Sequence, residues 1–223
     1  QNREQSQNNA SALYQQMLEA LSQSEEQGVD PAKELALQLK DEYRGSTYAQ
    51  FAALHLARLE VYEDDLAGAE RELRWVMSMD EVGSETYQVA QLRLARVAAA
   101  QGDRAGALGM LSGADTDFAA SYSQARGDIL LADGREAGAL IAYETARAAL
   151  TTGSPLPRTL EEKIAYLSAR LSPSLEETVD GSLQGLPANE TSMDDSSRAA
   201  SEAVDLDGFM ADDSAANAEA EAP

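Results

Sequence analysis

The side chains able to perform nucleophilic or acid–base chemistry are few in this sequence. The chain contains one histidine, His55, and no cysteine. His55 would have to serve as the base of any Ser-His-Asp triad, but it falls in the middle of a predicted helix, where a surface or rim position accounts for it. Without cysteine the chain can form no thiol nucleophile, disulfide or Cys-based zinc site, and one histidine cannot build a multi-His metal site.

Paired carboxylates are the second kind of candidate. Asp64-Asp65 and Glu161-Glu162 have the residue type for acid–base catalysis. The first pair lies at a predicted turn, where capping explains it, and the second lies in the first turn of a predicted helix, where negative charge interacts favourably with the dipole. The sequence has no GxxxxGK[ST] or GxGxxG phosphate-binding loop. We therefore predict no catalytic residues, no cofactor, no metal site and a protein that is not an enzyme.

The composition excludes nucleic acid as the expected partner. The chain has 223 residues, which suffices for one or two domains with a core, and 17 Lys and Arg against 39 Asp and Glu give a net charge of −22. Clustered basic residues supply the affinity for phosphate backbones, and they are missing here. No apolar run reaches the roughly 18 residues of a membrane span; a signal or anchor preceding Gln1 would not show.

Charge and composition divide the chain into three parts. Residues 1–9 are rich in Gln and Asn and are predicted to be a polar tether, and 10–171 are dense in Ala and Leu and are predicted to be the repeat domain. Residues 172–223 contain 13 acidic residues and one basic one, so they carry −12 of the net charge and leave −10 for the rest. This segment has too little apolar surface to offset its ordering entropy, and we predict an acidic disordered tail.

Within that tail, Val204–Met210 alternates acidic and apolar residues. Segments of this kind can fold onto a partner; chance clustering in a solvating tail is the alternative interpretation.

Apolar residues in the middle part recur at spacings of three and four, which predicts helices. The expected starts include Asp30 as an N-cap before Pro31, and Ser46 and Ser84 as N-caps. The helices are predicted at 10–27, 31–43, 47–62, 66–78, 85–101, 104–112, 117–132, 136–150 and 157–170.

An internal repeat organises these helices. Leu56–Leu59 aligns with Leu94–Val97 at an offset of 38 residues, and a third copy follows 32 residues later. Each copy is a helix, a tight turn and a second helix, and small residues lie where two helices must cross closely. The small residues are Ala57, Ala95 and Gly127 in the first helices and Ala69, Ala107 and Ala139 in the second.

This arrangement is the tetratricopeptide pattern, here without its tryptophan and terminal proline. Gly102 and Gly134 fit the turns, where positive φ is required. Helices 10–27 and 31–43 are predicted to form a degenerate further repeat, and 157–170 is predicted to cap the other end. The fold class is therefore all-α, a right-handed tetratricopeptide-like helical hairpin solenoid with a C-terminal capping helix and a disordered acidic tail.

The first helices of such a stack line a concave face, which is the usual ligand surface. Arg58 and Arg96 occupy equivalent positions, and Asp128 takes that position in the third copy. We predict a protein-binding groove formed by these three and by apolar residues one and two turns before them, namely Phe51, Leu54, Val89 and Leu92. The alternative is that the arginines pair within the chain, for example with Glu60 or Glu63. The acidic tail occupying this groove is a further hypothesis.

Trp75 has two interpretations as well. It lies on a second helix beside Val76 and Met79, so core packing explains it, and a hot spot facing a partner is the alternative.

Several segments resemble a specific family, the YfgM-type proteins. They are Tyr43–Ala49, Ala52–Leu54, Leu56–Arg58, Leu92–Val97 and Arg126–Leu130, and it is their order and spacing that carry the resemblance. The similarity covers residues 10–170. It implies a periplasmic tetratricopeptide domain behind one transmembrane helix of a bacterial inner membrane, acting as an ancillary subunit of the SecYEG translocon. It also implies a PpiD-type chaperone and exported proteins as partners, and no enzymatic activity.

The sequence departs from the family in two places. The membrane anchor is absent from this chain, and the acidic segment after Leu171 is an extension to the family core. The leading hypothesis is thus a non-catalytic interaction module beside the translocon, on the periplasmic side of the inner membrane. A scaffold or adaptor of an unrelated bacterial envelope complex is the alternative, since fold alone does not fix function.

Overall fold

The computed structural model describes residues 2–24, 28–113, 117–150 and 157–172. Within these ranges the chain is helical and contains no strand, which confirms the predicted all-α class. The described helices are α1 (Asn2–Ser22), α2 (Asp30–Glu42), α3 (Thr47–Tyr62), α4 (Leu66–Met79), α5 (Glu85–Ala100), α6 (Arg104–Met110), α7 (Ala119–Ala132), α8 (Glu136–Ala149) and α9 (Arg158–Leu171).

The N-terminal segment differs from its prediction. Helix α1 begins at Asn2, so residues 2–9, predicted to be a polar tether, are the first turns of a helix whose side chains from Glu4 to Asn9 are exposed. This stretch has no glycine or proline to stop the helix, and Glu and Gln are good helix formers. At the other end, α1 stops at Ser22 rather than 27. The predicted acidic tail lies outside the described residues, which end at Ser172.

Side-chain caps fix the start of four helices. The backbone N–H of Ala49 donates to Ser46 Oγ at 3.2 Å, as does that of Tyr87 to Ser84 Oγ. Two aspartates do the same for the second helices of their hairpins: Asp65 accepts from the N–H of Gly68 at 2.8 Å and Asp103 from that of Gly106 at 2.9 Å. These caps satisfy N–H groups that the first helical turn leaves without partners.

The predicted cap at Asp30 is wrong. Val29 occupies the N-cap position without a side-chain hydrogen bond, and Asp30 is the first residue of α2. Pro31 still lies in the first turn, where its missing N–H costs nothing. Asp30 then acts through its charge, which is favourable at a helix N-terminus.

The three hairpin turns share one hydrogen-bond geometry. The residue in the left-handed conformation is Asp64 (φ 64°), Gly102 (φ 96°) or Gly134 (φ 70°). The N–H of the next residue in each turn donates to the carbonyl five positions earlier, at 2.8 to 2.9 Å. This is a Schellman motif, which satisfies the carbonyls that end a helix. The repeat predicted from the sequence is therefore present in the backbone.

The helices stack as the repeat predicts. Each first helix contacts the next first helix (α1 with α3, α3 with α5, α5 with α7), and each of α2, α4 and α6 packs on the first helix that follows it. Helix α9 packs on α8 and buries Leu160, Ile164 and Leu167 there. It covers apolar surface that the last repeat would otherwise expose, as predicted for a capping helix.

The core consists of three apolar clusters along the stack. The first joins α1 to α5, the second joins α5 to α7, and the third joins α7 to α9. The small residues that the sequence places at helix crossings are buried in the structure. They are Ala57, Ala69, Ala95, Ala107, Ala139 and Gly127. Close approach of paired helices therefore depends on these positions.

Candidate functional site

The predicted groove residues of α3 and α5 lie largely within the core. Phe51, Leu54 and Val89 belong to the first apolar cluster and Leu92 to the second, and all four are buried. Arg96 is 6% exposed. Their burial arises because α3 and α5 each have neighbouring helices on several sides. The assignment of these residues to a protein-binding surface stays a prediction.

Arg58 and Asp128 are the two groove residues that remain half-buried. The carboxylate of Asp128 accepts hydrogen bonds from the Tyr143 hydroxyl of α8 and the Lys163 ammonium of α9, each at 2.7 Å. Asp128 therefore joins the last repeat to the capping helix. Sequence spacing showed its place on the first helix but not these two partners, which come from other elements.

The acids Glu60 and Glu63, considered as partners for Arg58, both contact Lys33 of α2, at 3.7 and 2.5 Å. Burial lowers the pKa of Lys33, but its hydrogen bond to Glu63 and the two negative charges outweigh that effect and raise it. Burial raises the pKa of Glu60; Lys33 opposes this, and the carboxylates of Asp65 and Glu63 add to it. The end of α3 is thus crowded with carboxylates that one lysine partly neutralises.

His55 on α3 is buried against α1, so the predicted surface or rim position is wrong. Its Nε2 lies 3.1 Å from the Tyr14 hydroxyl, and the Tyr14 ring also contacts Tyr48 and Phe51, with centroids 5.6 and 6.1 Å away. The neighbours of His55 are therefore those of a packed aromatic cluster that holds α1 on the stack. A histidine in this position serves packing and hydrogen bonding.

Trp75 on α4 links two hairpins. The Lys40 ammonium lies 4.9 Å from its ring centroid and the Arg44 guanidinium 5.9 Å, both within cation–π range. The side chain is half-buried against the first apolar cluster. The packing of Trp75 against this cluster agrees with core packing, the first of its two interpretations.

A cleft that the sequence does not predict lies near the end of α6. Helix α6 has seven residues, whereas α4 and α8 have 14 each. Beyond its end lies a cavity of about 400 Å³ between α7 and α8. We call it the Arg126 cleft; it is lined by Leu111, Gly113, Ala119, Tyr122, Ser123, Arg126, Leu130, Gly138, Ile141, Ala142 and Thr145.

Tyr122 separates this cleft from a second cavity of about 450 Å³. The Tyr122 hydroxyl donates to the carbonyl of Gln88 at 3.0 Å and lies 3.3 Å from the side-chain oxygen of Gln91. Burial, with the nearby Tyr87 adding to it, raises the pKa of Tyr122 to about 12, so this side chain stays neutral. The sequence signal near this cleft is the set of glycines in and around α6, namely Gly102, Gly106, Gly109 and Gly113.

Within the described ranges, no three or more His, Asp or Glu side chains converge as metal ligands would. Among the same residues, no helix has the length and apolar character needed to cross a bilayer.

Comparisons with known proteins agree with the stacked hairpins. No curated protein sequence and no solved structure matches the chain significantly. The family described as "Tetratricopeptide repeat-like domain" matches residues 1–169. The match includes α1 from its first turn and reaches into α9, so it spans the whole described stack apart from its last residues. The chain belongs to this tetratricopeptide repeat-like family.

Proposed function

We propose that the chain is a non-catalytic protein-interaction module that works beside the SecYEG translocon, on the periplasmic side of a bacterial inner membrane. Its partners would be translocon subunits, a PpiD-type chaperone and exported proteins. Tetratricopeptide-like repeats are typically interaction modules that present one long surface to a partner, and membership of that family supports the general part of the proposal.

The observation that carries the specific part is the ordered resemblance to YfgM-type proteins. The similar segments Leu56–Arg58, Leu92–Val97 and Arg126–Leu130 lie on α3, α5 and α7, which are the first helices of three successive hairpins. The resemblance therefore follows the repeat unit and does not rest on one isolated stretch.

Two physical features favour such a role. A membrane anchor would hold the module beside the exit site and make its encounters with exported chains effectively intramolecular. The net charge of −22 would repel acidic surfaces and favour basic loops on partners. The chemistry-bearing residues His55 and Asp128 have structural contacts, which supports a module without catalysis.

Site-specific photo-crosslinking in the producing cells tests the proposal. One probe replaces Tyr62, which is 75% exposed and lies one turn after Arg58 at the end of α3. The control probe replaces Arg71, whose side chain is 70% exposed on α4. We expect crosslinks from position 62 to translocon subunits, the chaperone or nascent exported chains.

The two positions separate the possible outcomes. Crosslinks to the translocon from position 71 alone would keep the function and contradict the predicted groove. Crosslinks from both positions only to an unrelated envelope complex would contradict the translocon proposal and favour the scaffold or adaptor.

A further inference from the structure

The Arg126 cleft differs in charge from the rest of the protein. The chain has 39 acidic residues, yet among the described residues no Asp or Glu lines this cleft. Arg126 is half-buried in its wall and forms no ion pair with any residue in the described ranges, whereas Arg104 pairs with Asp133 and Arg147 with Glu144. A half-buried guanidinium among apolar side chains is a favourable place for a carboxylate.

Apolar side chains form part of the cleft wall, beside Ser123, Arg126 and Thr145. Leu111, Leu130 and Ala142 form its floor side, and Ile141 lies at its edge with 68% of its surface exposed. The second cavity, across Tyr122, has Val82 at its edge, which is 84% exposed. These two exposed aliphatic side chains would give a partner segment apolar surface to cover at the edges of the two cavities.

We propose that the acidic–apolar segment Val204–Met210 of this same chain binds in the Arg126 cleft. Its sequence is Val-Asp-Leu-Asp-Gly-Phe-Met. It therefore supplies carboxylates that can pair with Arg126 and apolar side chains that can pack against the aliphatic residues of the cleft. Asp205 or Asp207 pairs with Arg126, and the apolar side chains of the segment fill the two cavities. Elsewhere the negative surface of the protein repels such a segment.

Chain length permits this contact. Helix α9 packs on α8, which forms one wall of the cleft, and it ends at Leu171. The sequence places 32 residues between Leu171 and Val204. A random coil of that length has a root-mean-square span of about 30 Å. A segment tethered at this distance has an effective concentration near the millimolar range, so a weak contact suffices to fill the cleft.

The consequence is competition at the cleft. A partner protein that uses an acidic–apolar segment must displace residues 204–210 before it can bind there. This inference is independent of the translocon proposal, since it concerns two parts of one chain.

Distance measurements between two spin labels test the inference on the full chain. The natural sequence has no cysteine, so labels attach only at introduced ones. Ala137→Cys places a label at an exposed position of α8 beside the cleft residue Gly138, and Ser201→Cys places one three residues before Val204. We expect a narrow distribution of short distances, which Arg126→Glu abolishes and which adding Asp205→Arg and Asp207→Arg to Arg126→Glu restores.

Arg135→Glu is the matched control, because Arg135 is exposed, lies outside the cleft and forms no ion pair with the described residues. It should leave the distribution unchanged. A broad distribution in the parent chain, or a narrow one that Arg126→Glu does not alter, would overturn the inference. So would a short distance that appears only when singly labelled chains are mixed, since the occupant would then come from a second copy. Circular dichroism of each variant checks that the helices are intact.

Discussion

The hairpins α5–α6 and α7–α8 share their turn geometry and differ in how their helices meet. In the first, Ala95 faces its partner helix and Leu111 fills the space beside it; in the second, the equivalent residues are Gly127 and Tyr143. A β-carbon added at Gly127 would overlap the Tyr143 ring. The repeat thus conserves the combined volume of two facing positions and not the size of either one.

The exchange also brings a polar group into the core. The hydroxyl of Tyr143 reaches Asp128, which also binds Lys163 of the capping helix. Leu111 in the earlier hairpin has no such group and comes directly after the end of α6. Tyr143, the larger side chain, therefore lies in the hairpin that the capping helix α9 covers. Leu111, the smaller one, lines the Arg126 cleft.

The largest expected effect is that of Gly127→Ala. Gly to Ala usually stabilises a helix interior, but here the added methyl group meets an aromatic ring that is buried and hydrogen-bonded. We expect a loss of about 3 kcal/mol in the free energy of unfolding, the upper end for overpacking. Denaturant unfolding followed by circular dichroism measures it.

Two variants check the reason for that loss. Gly109→Ala in α6 adds a methyl group with no atom nearby and should be neutral or slightly stabilising. Gly127→Ala combined with Tyr143→Leu recreates the pair of the second repeat and should be more stable than the sum of the two single changes, by about 1 kcal/mol or more. Additive effects would contradict direct contact as the cause.

Overpacking the second helices compares the open and closed hairpins directly. Ala107→Leu in α6 and Ala139→Leu in α8 each enlarge a fully buried residue. We expect a loss of about 1 kcal/mol for Ala107→Leu and about 2 to 3 kcal/mol for Ala139→Leu, because the short α6 beside the cleft can shift and α8 cannot. The exposed Ala105→Leu serves as the control. Thermal unfolding that is unchanged in both buried variants would refute the repeat register.

A smaller effect is expected at the turn that carries no glycine. Asp64 holds the left-handed conformation that Gly102 and Gly134 adopt in the other two turns. Since this conformation costs a residue with a β-carbon about 1 kcal/mol or more, Asp64→Gly should stabilise the protein by up to about 1 kcal/mol. Gly134→Ala, in the same geometry, should have the opposite sign. Equal signs in urea unfolding would show that backbone strain does not govern these turns.

The smallest effect concerns the carboxylates around the same turn. The raised pKa of Glu60 means that the folded state binds this proton more tightly than the unfolded state. Protonated Glu60 therefore contributes stability at low pH. This contribution is lost as the pH rises from the usual glutamate pKa of 4.5 through the raised pKa of Glu60. Glu60→Gln should be more stable than the natural sequence at pH 7, by less than about 1 kcal/mol, and this difference should vanish near pH 4.

Glu63→Gln is the control for that prediction. Glu63 accepts a hydrogen bond from Lys33, so its neutral replacement should lower stability slightly at pH 7. A difference for Glu60→Gln that persists unchanged to low pH would show that the raised pKa of Glu60 is not its cause.

Much of the fold followed from local sequence signals. The caps at Ser46 and Ser84, the turns at Gly102 and Gly134 and the repeat offsets depend on contacts within a few residues of one another, and the structure has them where they were predicted. Asp30 shows the limit of this reasoning, because the residue before it became the cap. A one-residue shift in where a helix starts has no strong signature in composition.

Features that depend on several helices were not predictable from periodicity. Leu92 and Arg96 were placed on one face of α5, but which neighbour covers that face is decided by the packing of the stack. The contact of Asp128 with Lys163 spans 35 positions, and the cleft exists because α6 stops early. Residue spacing predicts which side chains share one face of a helix. Whether that face is buried depends on the neighbouring helices.

The brevity of α6 has a consequence for how the protein unfolds. Two turns of helix have little stability of their own, and in a repeat array each unit is stabilised mainly by its nearest neighbours. We therefore expect the array to divide at α6 into two cooperative units, α1–α5 and α7–α9. Backbone amides of α6 should be the first in the array to exchange with deuterium, ahead of either unit.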